Sequence, residues 1–485
     1  MTLKHSDGTL ASPANLLWAR RELTLPVLIE ADGPTWTWRM LAGAASEIAR
    51  GLGPMAGGRV TITAPNGGTI VAAILGVWLA GGVPAPLSAK LPPRERARLL
   101  AAVGSSADVV HSGLGIPGTV LVADDFADHA PDPELVPPRV LPGDPGIVLC
   151  TSGTTGTPKT VVHSMHAVWN QVVSVSREDV DPDAPPVPVP APPARIQCAP
   201  MNHIGALFAI IFTLWRGRQL VIMKRFEPVR YAELVRQHGI RTLSLVPSMI
   251  RMTLDSPVRS LAPAKVVSTG TAALPAVWRE EFEQRFGIPV QTTYGQTEAG
   301  TIAYEPLSDV LGGTRRPGTA GRVVPQVDVE VRDDAGRTLP PGADGHIWIR
   351  AAALNDADWF DTGDLGRIDE DRYLYLTGRS RDLIIRGGLN IIPAEVENAL
   401  LEHENVLEAV VTGQPHPRLG EVPVAWVRTD PPLADGDELI AFVRERLAAY
   451  KVPVSIRQVT EFPRTDNGKV RRQDLVAWPE GSARP

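Results

Sequence analysis

Short apolar runs alternate with helix-like segments along the first two thirds of the chain. Residues 39–51 repeat apolar positions with the period of an amphipathic helix, and residues 68–82 are apolar enough for a buried helix. The runs predicted as strands are 25–29, 59–63, 147–150, 196–198, 219–223, 242–246, 265–268 and 290–293. Such alternation predicts parallel sheets that are covered by helices.

Prolines interrupt this pattern twice. Val83-Pro84-Ala85-Pro86 predicts a turn after the buried helix. Residues 181–195 contain seven prolines in fifteen positions. We therefore expect a polyproline-like surface segment there, which can be neither a central strand nor a helix.

The pattern changes after about residue 311. Residues 327–332 and 346–350, joined by a turn at 333–336, predict antiparallel strands. From about residue 379 to the end the pattern is that of a smaller α+β unit. We therefore predict an N-terminal domain over residues 1–378 and a C-terminal domain over 379–485.

Composition narrows the class of protein. The chain has 485 residues, 44% of them hydrophobic, which is enough for two or more cores and excludes a wholly disordered protein. A net charge of −6 offers no basic field for nucleic acid. Two cysteines exclude a disulfide framework and favour a reducing compartment. The N-terminus has no signal-peptide pattern and no apolar stretch reaches the ~20 residues that span a bilayer, so we expect a cytoplasmic protein.

The most informative stretch is residues 150–159, which follow a predicted strand and precede a helical pattern. Gly153 and Gly156 let the backbone turn tightly and direct N–H groups to one point, and Lys159 adds a positive charge. Four hydroxyl side chains add neutral donors: Thr151, Ser152, Thr154 and Thr155. Pro158 stands where a Walker A loop needs glycine, which excludes that motif. The loop predicts a phosphate site, with a hydroxyl-rich surface turn as the alternative.

With this loop the sequence resembles the adenylate-forming superfamily, which comprises AMP-dependent acyl-CoA and aryl-CoA synthetases, adenylation domains and luciferases. Residues 151–159 are similar to its phosphate-loop signature nearly letter for letter, and five further stretches match in the family's order between about residues 20 and 475. The resemblance implies an α/β fold: a large N-terminal domain of helix-covered β-sheets with a β-barrel-like subdomain, and a small mobile α+β C-terminal domain.

The resemblance also implies roles at the nucleotide for Tyr294-Gly295-Gln296-Thr297-Glu298. Tyr294 would stack on adenine, Thr297 would bond the α-phosphate, and Glu298 would help to hold Mg²⁺. The other implied nucleotide contacts are Thr271, Ala272, Thr293, Gly295, Asp364 and Arg379, of which the last two meet the ribose. Read without the family, these residues fit a strand-end turn, an Asx-turn and a surface arginine equally well.

The acid would lie beside His203, Asn202 and Gly270, which match the family's acyl pocket. His203 could instead be a capping or core histidine, and Asn202 could bond a polar group of the substrate. Adenylation domains for α-amino acids usually carry an aspartate in this region to hold the ammonium. This chain has none there, which argues against an α-amino acid.

The C-terminal residues would act by moving. Asn467-Gly468 is a tight-turn dipeptide that places Lys469 at an exposed tip. The resemblance makes Lys469 the catalytic lysine, Arg381 the hinge in place of the usual aspartate or lysine, and Gly387 and Gly388 the lining of the pantetheine tunnel. A plain hairpin lysine is the alternative for Lys469.

We therefore expect a ligase that converts a carboxylic acid and ATP to acyl-AMP and pyrophosphate, and then forms a thioester. ATP, Mg²⁺ and CoA would be its cofactors, or a carrier-protein phosphopantetheine in place of CoA. The expected partners are a small carboxylic acid and, in the alternative, an acyl or peptidyl carrier protein, with the chain a monomer or homodimer and no nucleic acid bound. Two other functions stay open: transfer of the adenylate to another nucleophile, and a nucleotide-binding regulatory protein that has lost catalysis.

Overall fold

The computed structural model describes residues 9–122, 129–151, 159–176, 189, 191–351, 358–432, 435–466 and 468–476. The helices in this part are α1 Pro13–Trp18, α2 Trp38–Leu52, α3 Gly68–Leu79, α4 Pro93–Val103, α5 Met165–Ser176, α6 Ile204–Trp215, α7 Pro228–Gln237, α8 Pro247–Asp255, α9 Ala276–Phe286, α10 Leu307–Gly312, α11 Pro393–Leu401, α12 Asp437–Arg444 and α13 Arg472–Val476. Short 3₁₀ turns lie at Ser112–Leu114, Ser380–Asp382 and Ala449–Lys451.

The strands carry the fold. They are β1 Pro26–Glu30, β2 Thr35–Thr37, β3 Arg59–Thr63, β4 Val83–Leu87, β5 Ala107–His111, β6 Val120–Val122, β7 Pro145–Thr151, β8 Lys159–Ser164, β9 Ala191–Gln197, β10 Arg218–Ile222, β11 Thr242–Ser244, β12 Val266–Thr269, β13 Val290–Gln296, β14 Gly300–Tyr304, β15 Gly321–Val323, β16 Val327–Arg332, β17 Gly345–Ala351, β18 Phe360–Ile368, β19 Tyr373–Arg379, β20 Ile384–Arg386, β21 Leu389–Ile391, β22 Val406–His416, β23 Gly420–Thr429 and β24 Ser455–Gln458.

Two four-stranded sheets form the first part of the molecule. One is parallel throughout, in the order β4-β3-β5-β6, and the other has the order β2-β1-β10-β9. Helix α3 is buried at every position, as its apolar sequence requires. Helix α2 packs so closely against it that a Cβ on Gly76 would lie 2.8 Å from the carbonyl oxygen of Ala45. The predicted helix-covered sheets are confirmed.

A nine-stranded sheet positions the candidate site. Its order is β11-β12-β13-β14-β15-β19-β18-β17-β16. The first three strands are parallel, and every pair from β13 to β16 along the sheet is antiparallel. The change of direction falls between β13 and β14, and ligands of α/β sheets commonly bind where the topology switches beyond strand ends. The antiparallel strands form the β-rich subdomain that was expected.

A five-stranded sheet, in the order β21-β20-β23-β22 with β24 beside β23, forms the C-terminal unit together with α11, α12 and α13. It has its own apolar core, which includes Ile384, Ile391, Leu400 and Val411. This α+β unit agrees with the predicted fold class. The domain boundary at residue 379 stays a prediction.

Three local predictions are wrong. Residues 83–86 belong to strand β4, at the edge of its sheet. Alternate residues of a strand direct their N–H groups to the same side. Pro84 and Pro86 lack N–H groups only on the side away from β3, so the hydrogen bonds between β4 and β3 stay intact. The end of the proline-rich segment, from Ala191, belongs to edge strand β9. Lys159 begins strand β8 and not a helix, since α5 starts only at Met165.

Within the residues that the structure describes, no helix combines the length and the apolar character needed to cross a bilayer.

Candidate active site

The turn between β13 and β14 carries Thr297 and Glu298, and two side chains from β8 and α5 hold its backbone. His163 Nε2 lies 2.8 Å from the carbonyl oxygen of Thr297. Gln171 Nε2 donates to the carbonyl oxygen of Ala299 at 2.8 Å. Burial lowers the pKa of His163, so the ring is neutral at physiological pH and its Nε2–H is the donor to this carbonyl. These two contacts therefore fix the backbone of the turn that was predicted to meet the phosphates.

Predicted nucleotide residues contact the buried carboxylate of Asp364, a residue that is 4% exposed. Tyr294 donates its hydroxyl to Oδ2 at 2.6 Å, and Gln296 Nε2 donates to the same oxygen at 2.7 Å. Arg379 Nε donates to Oδ1 at 2.7 Å. Burial and the negative charge of Asp364 raise the pKa of Tyr294 well above its usual value, so the phenol keeps its proton.

The Lys469 side chain reaches this cluster. Burial and the positive charges of Arg379 and Arg381 lower its pKa, whereas Asp364 and Glu298 raise it. All four charged neighbours were predicted site or hinge residues. Lys469 nevertheless keeps an exposed surface.

A tight turn presents Lys469. The Thr465 N–H donates to the Lys469 carbonyl at 2.8 Å, and the Gly468 N–H donates to the Thr465 carbonyl at 2.9 Å. Arg464 and Val470 close the turn as an antiparallel bridge. Gly468 has a φ of +81°, the left-handed conformation that favours glycine. The predicted turn geometry agrees with the structure, although Asn467 lies outside the described residues.

This tip is docked on the N-terminal part of the chain. Ser88 Oγ donates to Asp466 Oδ2, and Lys90 Nζ lies 3.9 Å from Asp466 Oδ1. A Cβ on Gly468 would lie 2.2 Å from Ser248 Oγ at the start of α8. A side chain at this position would therefore require the Ser248 side chain to shift.

His203 stands beside the tip on the acid side of the site. It precedes α6, and its Nε2 is buried without a hydrogen-bond partner in the described part of the chain. Burial lowers the pKa of His203 to about 4, with Lys469 lowering it further and Asp466 raising it. The neighbouring Asn202 is half-buried. A neutral imidazole with an unused nitrogen is suited to bonding a substrate atom.

The stretch after β12 has a constrained backbone. A Cβ on Gly270 would lie 3.0 Å from the carbonyl oxygen of Thr293, so only glycine fits between the two segments without a shift. Thr271 has a φ of +72°, which is rare for a residue other than glycine and typical of functional sites. Thr271, Ala272 and Gly295 are exposed. The predicted contacts here thus line an accessible edge beside β13.

The phosphate loop begins and ends within the structure. Thr151 pairs with Lys159 at the base of the β7–β8 hairpin, and Lys159 is exposed. The predicted residues between them lie outside the described residues, namely Ser152, Gly153, Thr154, Thr155 and Gly156. The two flanking strands pair antiparallel, and a phosphate contact by the residues between Thr151 and Lys159 stays a prediction.

Gly387 and Gly388 do not lie in this cluster. They form the exposed turn between β20 and β21 with φ values of +57° and +85°, and Leu419 is the nearest side chain to Gly387. Arg381 lies in the 3₁₀ turn after β19, where its Nε is 3.8 Å from Asp382. The predicted hinge residue, Arg381, therefore lies at the junction with the C-terminal unit. The predicted tunnel residues, Gly387 and Gly388, lie at the far edge of that unit.

The sequence interpretation missed three residues that position the site: His163, Gln171 and Gln296. Gln171 is a buried polar residue on an otherwise apolar helix face, and such a residue must find partners. His163 follows the phosphate loop by a few positions and is fully buried. A polar residue at a buried position was the available signal in both cases. Gln296 lies inside a quoted motif, but its contact with Asp364 is 68 residues away in sequence.

The site can accommodate Mg²⁺ with a triphosphate. Among the described residues the Glu298 carboxylate has no hydrogen-bond or ion-pair partner, although Lys469 is near it. That part of the chain contains no group of three or more His, Cys, Asp and Glu side chains that could hold a metal alone. Mg²⁺ in phosphate sites typically takes one or two carboxylates and completes its shell with phosphate and water. One free carboxylate fits this requirement.

Profiles of known families decide the identity. The AMP-binding enzyme profile matches residues 17–355, and the profile of the AMP-binding enzyme C-terminal domain matches residues 395–469. The chain belongs to the AMP-binding enzyme family. It is an AMP-forming ligase that activates a carboxylic acid as the acyl-AMP.

Relatives and solved structures are similar over nearly the whole chain. The sulfoacetate–CoA ligase of Cupriavidus necator is 32% identical over 93% of this chain and 94% of that protein. The fatty acid–[acyl-carrier-protein] ligase ScoC of Streptomyces coeruleorubidus is 30% identical over 94% of each protein. ATP-bound MatB from Rhodopseudomonas palustris superposes with a TM-score of 0.82 at 25% identity, over 96% of this chain and 98% of that chain. Apo MatB gives a TM-score of 0.71 over the same shares at 25% identity, so this structure is closer to the ATP-bound form.

Proposed function

We propose that this ligase makes an acyl-CoA in two steps at one site, with Lys469 as the catalytic residue of the first. A carboxylate oxygen attacks the α-phosphorus of ATP, and pyrophosphate leaves to give acyl-AMP. The CoA thiol then loses its proton and attacks the acyl carbon, and AMP leaves with the oxygen that the acid contributed. The observation that carries this proposal is the position of Lys469 beside Asp364, Arg379 and Glu298.

Charge explains what Lys469 does there. The transition state of the first step brings an anionic carboxylate against an anionic phosphate, so negative charge builds between them. An ammonium fixed at that point stabilises the charge more in the transition state than in the ground state. The other residues then have to position the two reactants, which alone can supply several kcal/mol of the barrier.

The nucleotide would lie along β13 and β18. We assign adenine stacking to Tyr294 and the ribose hydroxyls to Asp364 and Arg379. A carboxylate has about four acceptor positions, and three of those on Asp364 are filled by Tyr294, Gln296 and Arg379. One position is therefore open to a ribose hydroxyl, and a second hydroxyl is within the reach of the other N–H groups of Arg379. The residues that line the remaining edge are Thr271, Ala272, Thr293 and Gly295.

The phosphates would meet two groups of donors and a bound Mg²⁺. Thr297 bonds the α-phosphate from the turn that His163 holds, and Lys159 with the hairpin loop from Thr151 contacts the β- and γ-phosphates. Glu298 would hold Mg²⁺, which supplies neutralising charge to the phosphate oxygens when it is bound.

The acid would lie between α6 and β12. His203 is neutral and has an unused nitrogen, so it can bond a carboxylate oxygen or a polar substituent. Asn202 adds an amide that can bond a polar group of the substrate. Gly270 leaves room for the acyl chain against the β13 backbone.

The second step requires the C-terminal domain, residues 379–485, to rotate on residues 1–378 about Arg381. Lys469 would leave the site and the exposed turn at Gly387 and Gly388 would arrive, so that the pantetheine arm could pass. The superposition on ATP-bound MatB supports the interpretation that the structure shows the arrangement for the first step.

The alternative acceptor is the phosphopantetheine of a carrier protein. ScoC, which is named for that reaction, supports it, and the exposed β20–β21 turn is accessible to a protein of that kind. Transfer to another nucleophile stays open as well. A cytoplasmic location and the monomeric or homodimeric state stay predictions.

Isotope transfer tests the proposal. Acids that are labelled with ¹⁸O in the carboxylate, from a panel of sulfoacetate and aryl, short-chain and medium-chain acids, are incubated with the protein, ATP, Mg²⁺ and CoA. We expect AMP that carries one ¹⁸O and pyrophosphate that carries none. ADP, or unlabelled AMP, contradicts the proposed chemistry. If no acid of the panel leads to AMP formation, the result favours a regulatory nucleotide-binding protein. Turnover only with a phosphopantetheine-bearing carrier protein identifies the alternative acceptor.

A further inference from the structure

The C-terminal unit rests on helices α8 and α9 as well as on the active site. Trp278 Nε1 of α9 donates to the Leu407 carbonyl oxygen at 3.0 Å, and Val277 packs against the core of the C-terminal unit. Arg428 of β23 donates from Nη2 to Asp255 Oδ2, at the end of α8, at 2.9 Å. An ion pair therefore joins the two parts of the chain away from the reacting groups.

Arg428 is linked to the Lys469 tip through its own domain. Arg428 and Glu408 face each other across the β22–β23 ladder, and Arg428 Nε donates to Glu408 Oε1 at 2.8 Å. Arg464 Nη2 donates to the other oxygen of Glu408. The second amino group of Arg464 donates to the Gly468 carbonyl oxygen at 2.9 Å, next to Lys469.

Burial makes this chain of contacts stronger than a surface ion pair. The side chain of Glu408 is 10% exposed and that of Arg428 is 21% exposed, so water screens their interaction only in part. The charges alternate along the whole path, because Arg251 Nη2 lies 2.7 Å from the free side of Asp255. The path therefore joins α8 to Arg464 by paired charges, and the Arg464 hydrogen bond to the Gly468 carbonyl completes it.

We propose that Arg428 and Asp255 are positioning residues of the first half-reaction, whose ion pair, acting through Glu408 and Arg464, holds Lys469 in the site. This rests on the proposed role of Lys469. The pair joins the two parts that must separate when the C-terminal domain rotates, whereas the contacts of Arg464 and Glu408 stay inside one domain. Loss of the pair should thus weaken adenylation and leave thioester formation intact.

Replacement of Arg428 should weaken docking of the C-terminal unit without destabilising the fold. If Arg428 is replaced, Glu408 keeps Arg464 and Asp255 keeps Arg251, so neither carboxylate is left buried and unpaired. The fold should tolerate the change, and the cost should fall on docking. Replacement of Asp255 from the other side of the interface should have the same effect.

The test compares half-reactions in Arg428→Gln, Asp255→Asn and the double variant. With the best acid of the panel above, we expect acid-dependent ATP–pyrophosphate exchange to fall about fivefold in kcat for each, the size of one partly exposed ion pair. Thioester formation from the supplied acyl-AMP and CoA should not fall. The double variant should be no slower than either single variant, because both remove the same contact. Arg446→Gln is the control, since Arg446 pairs with Glu402 within the C-terminal unit and should leave both half-reactions unchanged.

Two outcomes overturn the proposal: exchange by Arg428→Gln and Asp255→Asn equal to that of the control, or equal losses in both half-reactions. A Lys469→Ala variant that still exchanges pyrophosphate contradicts the proposed function itself, so the two failures are distinguishable. Amide hydrogen exchange over residues 464–470, without any substrate, is a second readout. It should be faster in Arg428→Gln than in Arg446→Gln, and equal rates also overturn the proposal.

Discussion

At the scale of single residues, the Asp364 carboxylate holds the nucleotide side of the site together. Tyr294, Gln296 and Arg379 come from two strands and all donate to it. Without these donors a carboxylate that is 4% exposed would be costly to bury as an anion. The same contacts that stabilise the charge also orient the groups that would face adenine and ribose.

Tyr294→Phe separates these two functions, because the ring stays and the hydroxyl is lost. A hydrogen bond to a charged acceptor contributes about 1.5–3 kcal/mol, and Gln296 still bonds the same oxygen, so we expect the lower end of this range. The KM for ATP in pyrophosphate exchange should rise about tenfold with kcat little changed. Tyr375→Phe is the control, since its hydroxyl lies 3.3 Å from Asp369 and apart from the site. An unchanged KM in Tyr294→Phe contradicts the assigned nucleotide position.

The pH dependence of adenylation reports on Lys469. Its ammonium is the active form, and burial, Arg379 and Arg381 lower its pKa. As the pH rises, adenylation should therefore be lost at a pH lower than ~10.4, the pKa of an ordinary lysine. Arg381→Gln removes one of the positive charges, so the alkaline limb of the kcat profile should move to higher pH. A limb that stays in place, or moves to lower pH, shows that another group controls it.

The sequence singled out Tyr294, Asp364 and Lys469 through motifs that resemble those of the adenylate-forming superfamily, and their roles stay predictions. The structure brings these three residues close together. Their mutual contacts could not be predicted from spacing, since Tyr294 and Asp364 are 70 positions apart. His163 and Gln171 were missed because they act through the backbone of another segment and carry no motif.

At the scale of elements, most strands and helices follow the apolar pattern, and β3 has the predicted bounds. The two errors at proline-rich segments share one cause: proline marks a break in hydrogen bonding without stating which kind. In β4 the prolines sit at a sheet edge, where no partner requires their N–H groups. Lys159 begins a strand because its segment pairs with β7, which local periodicity does not show.

The turn that carries Lys469 depends on glycine at position 468. Gly468→Ala adds a Cβ at a φ of +81° and places it 2.2 Å from Ser248 Oγ. The backbone conformation alone costs about 1–2 kcal/mol, and the contact adds to this, so adenylation should fall more than tenfold. Thioester formation from supplied acyl-AMP should change little, because the tip is then withdrawn. Both half-reactions can be measured on one preparation.

Gly336→Ala is the matched control for Gly468→Ala. Gly336 has a φ of +77° and nothing within 4 Å of an added Cβ, so it carries the backbone cost alone. Adding Ser248→Ala to Gly468→Ala should recover part of the lost adenylation. If Gly468→Ala behaves like Gly336→Ala, the tip does not dock against α8 as the structure has it.

At the level of the whole molecule, the C-terminal unit docks on the N-terminal part of the chain and brings Lys469 to the other predicted site residues. Ser88 and Asp466 are 378 positions apart, and Arg428 and Asp255 are 173 apart, yet the first contact holds the Lys469 turn and the second holds β23 against α8. The change of pattern predicted a domain boundary, and the family resemblance implied a hinge at Arg381; both stay predictions. It could not predict which faces meet, because surface charges such as Arg428 and Asp255 look alike until the fold pairs them.

The role of Lys469 is best tested by the half-reactions of Lys469→Ala. We expect acid-dependent ATP–pyrophosphate exchange to be lost, because no ammonium stabilises the charge between the carboxylate and the α-phosphate. CoA thioester formation from supplied acyl-AMP should survive near the wild-type rate, since Lys469 has then left the site. Exchange that persists, or equal loss of both half-reactions, would show that Lys469 is not the catalytic residue of the first step.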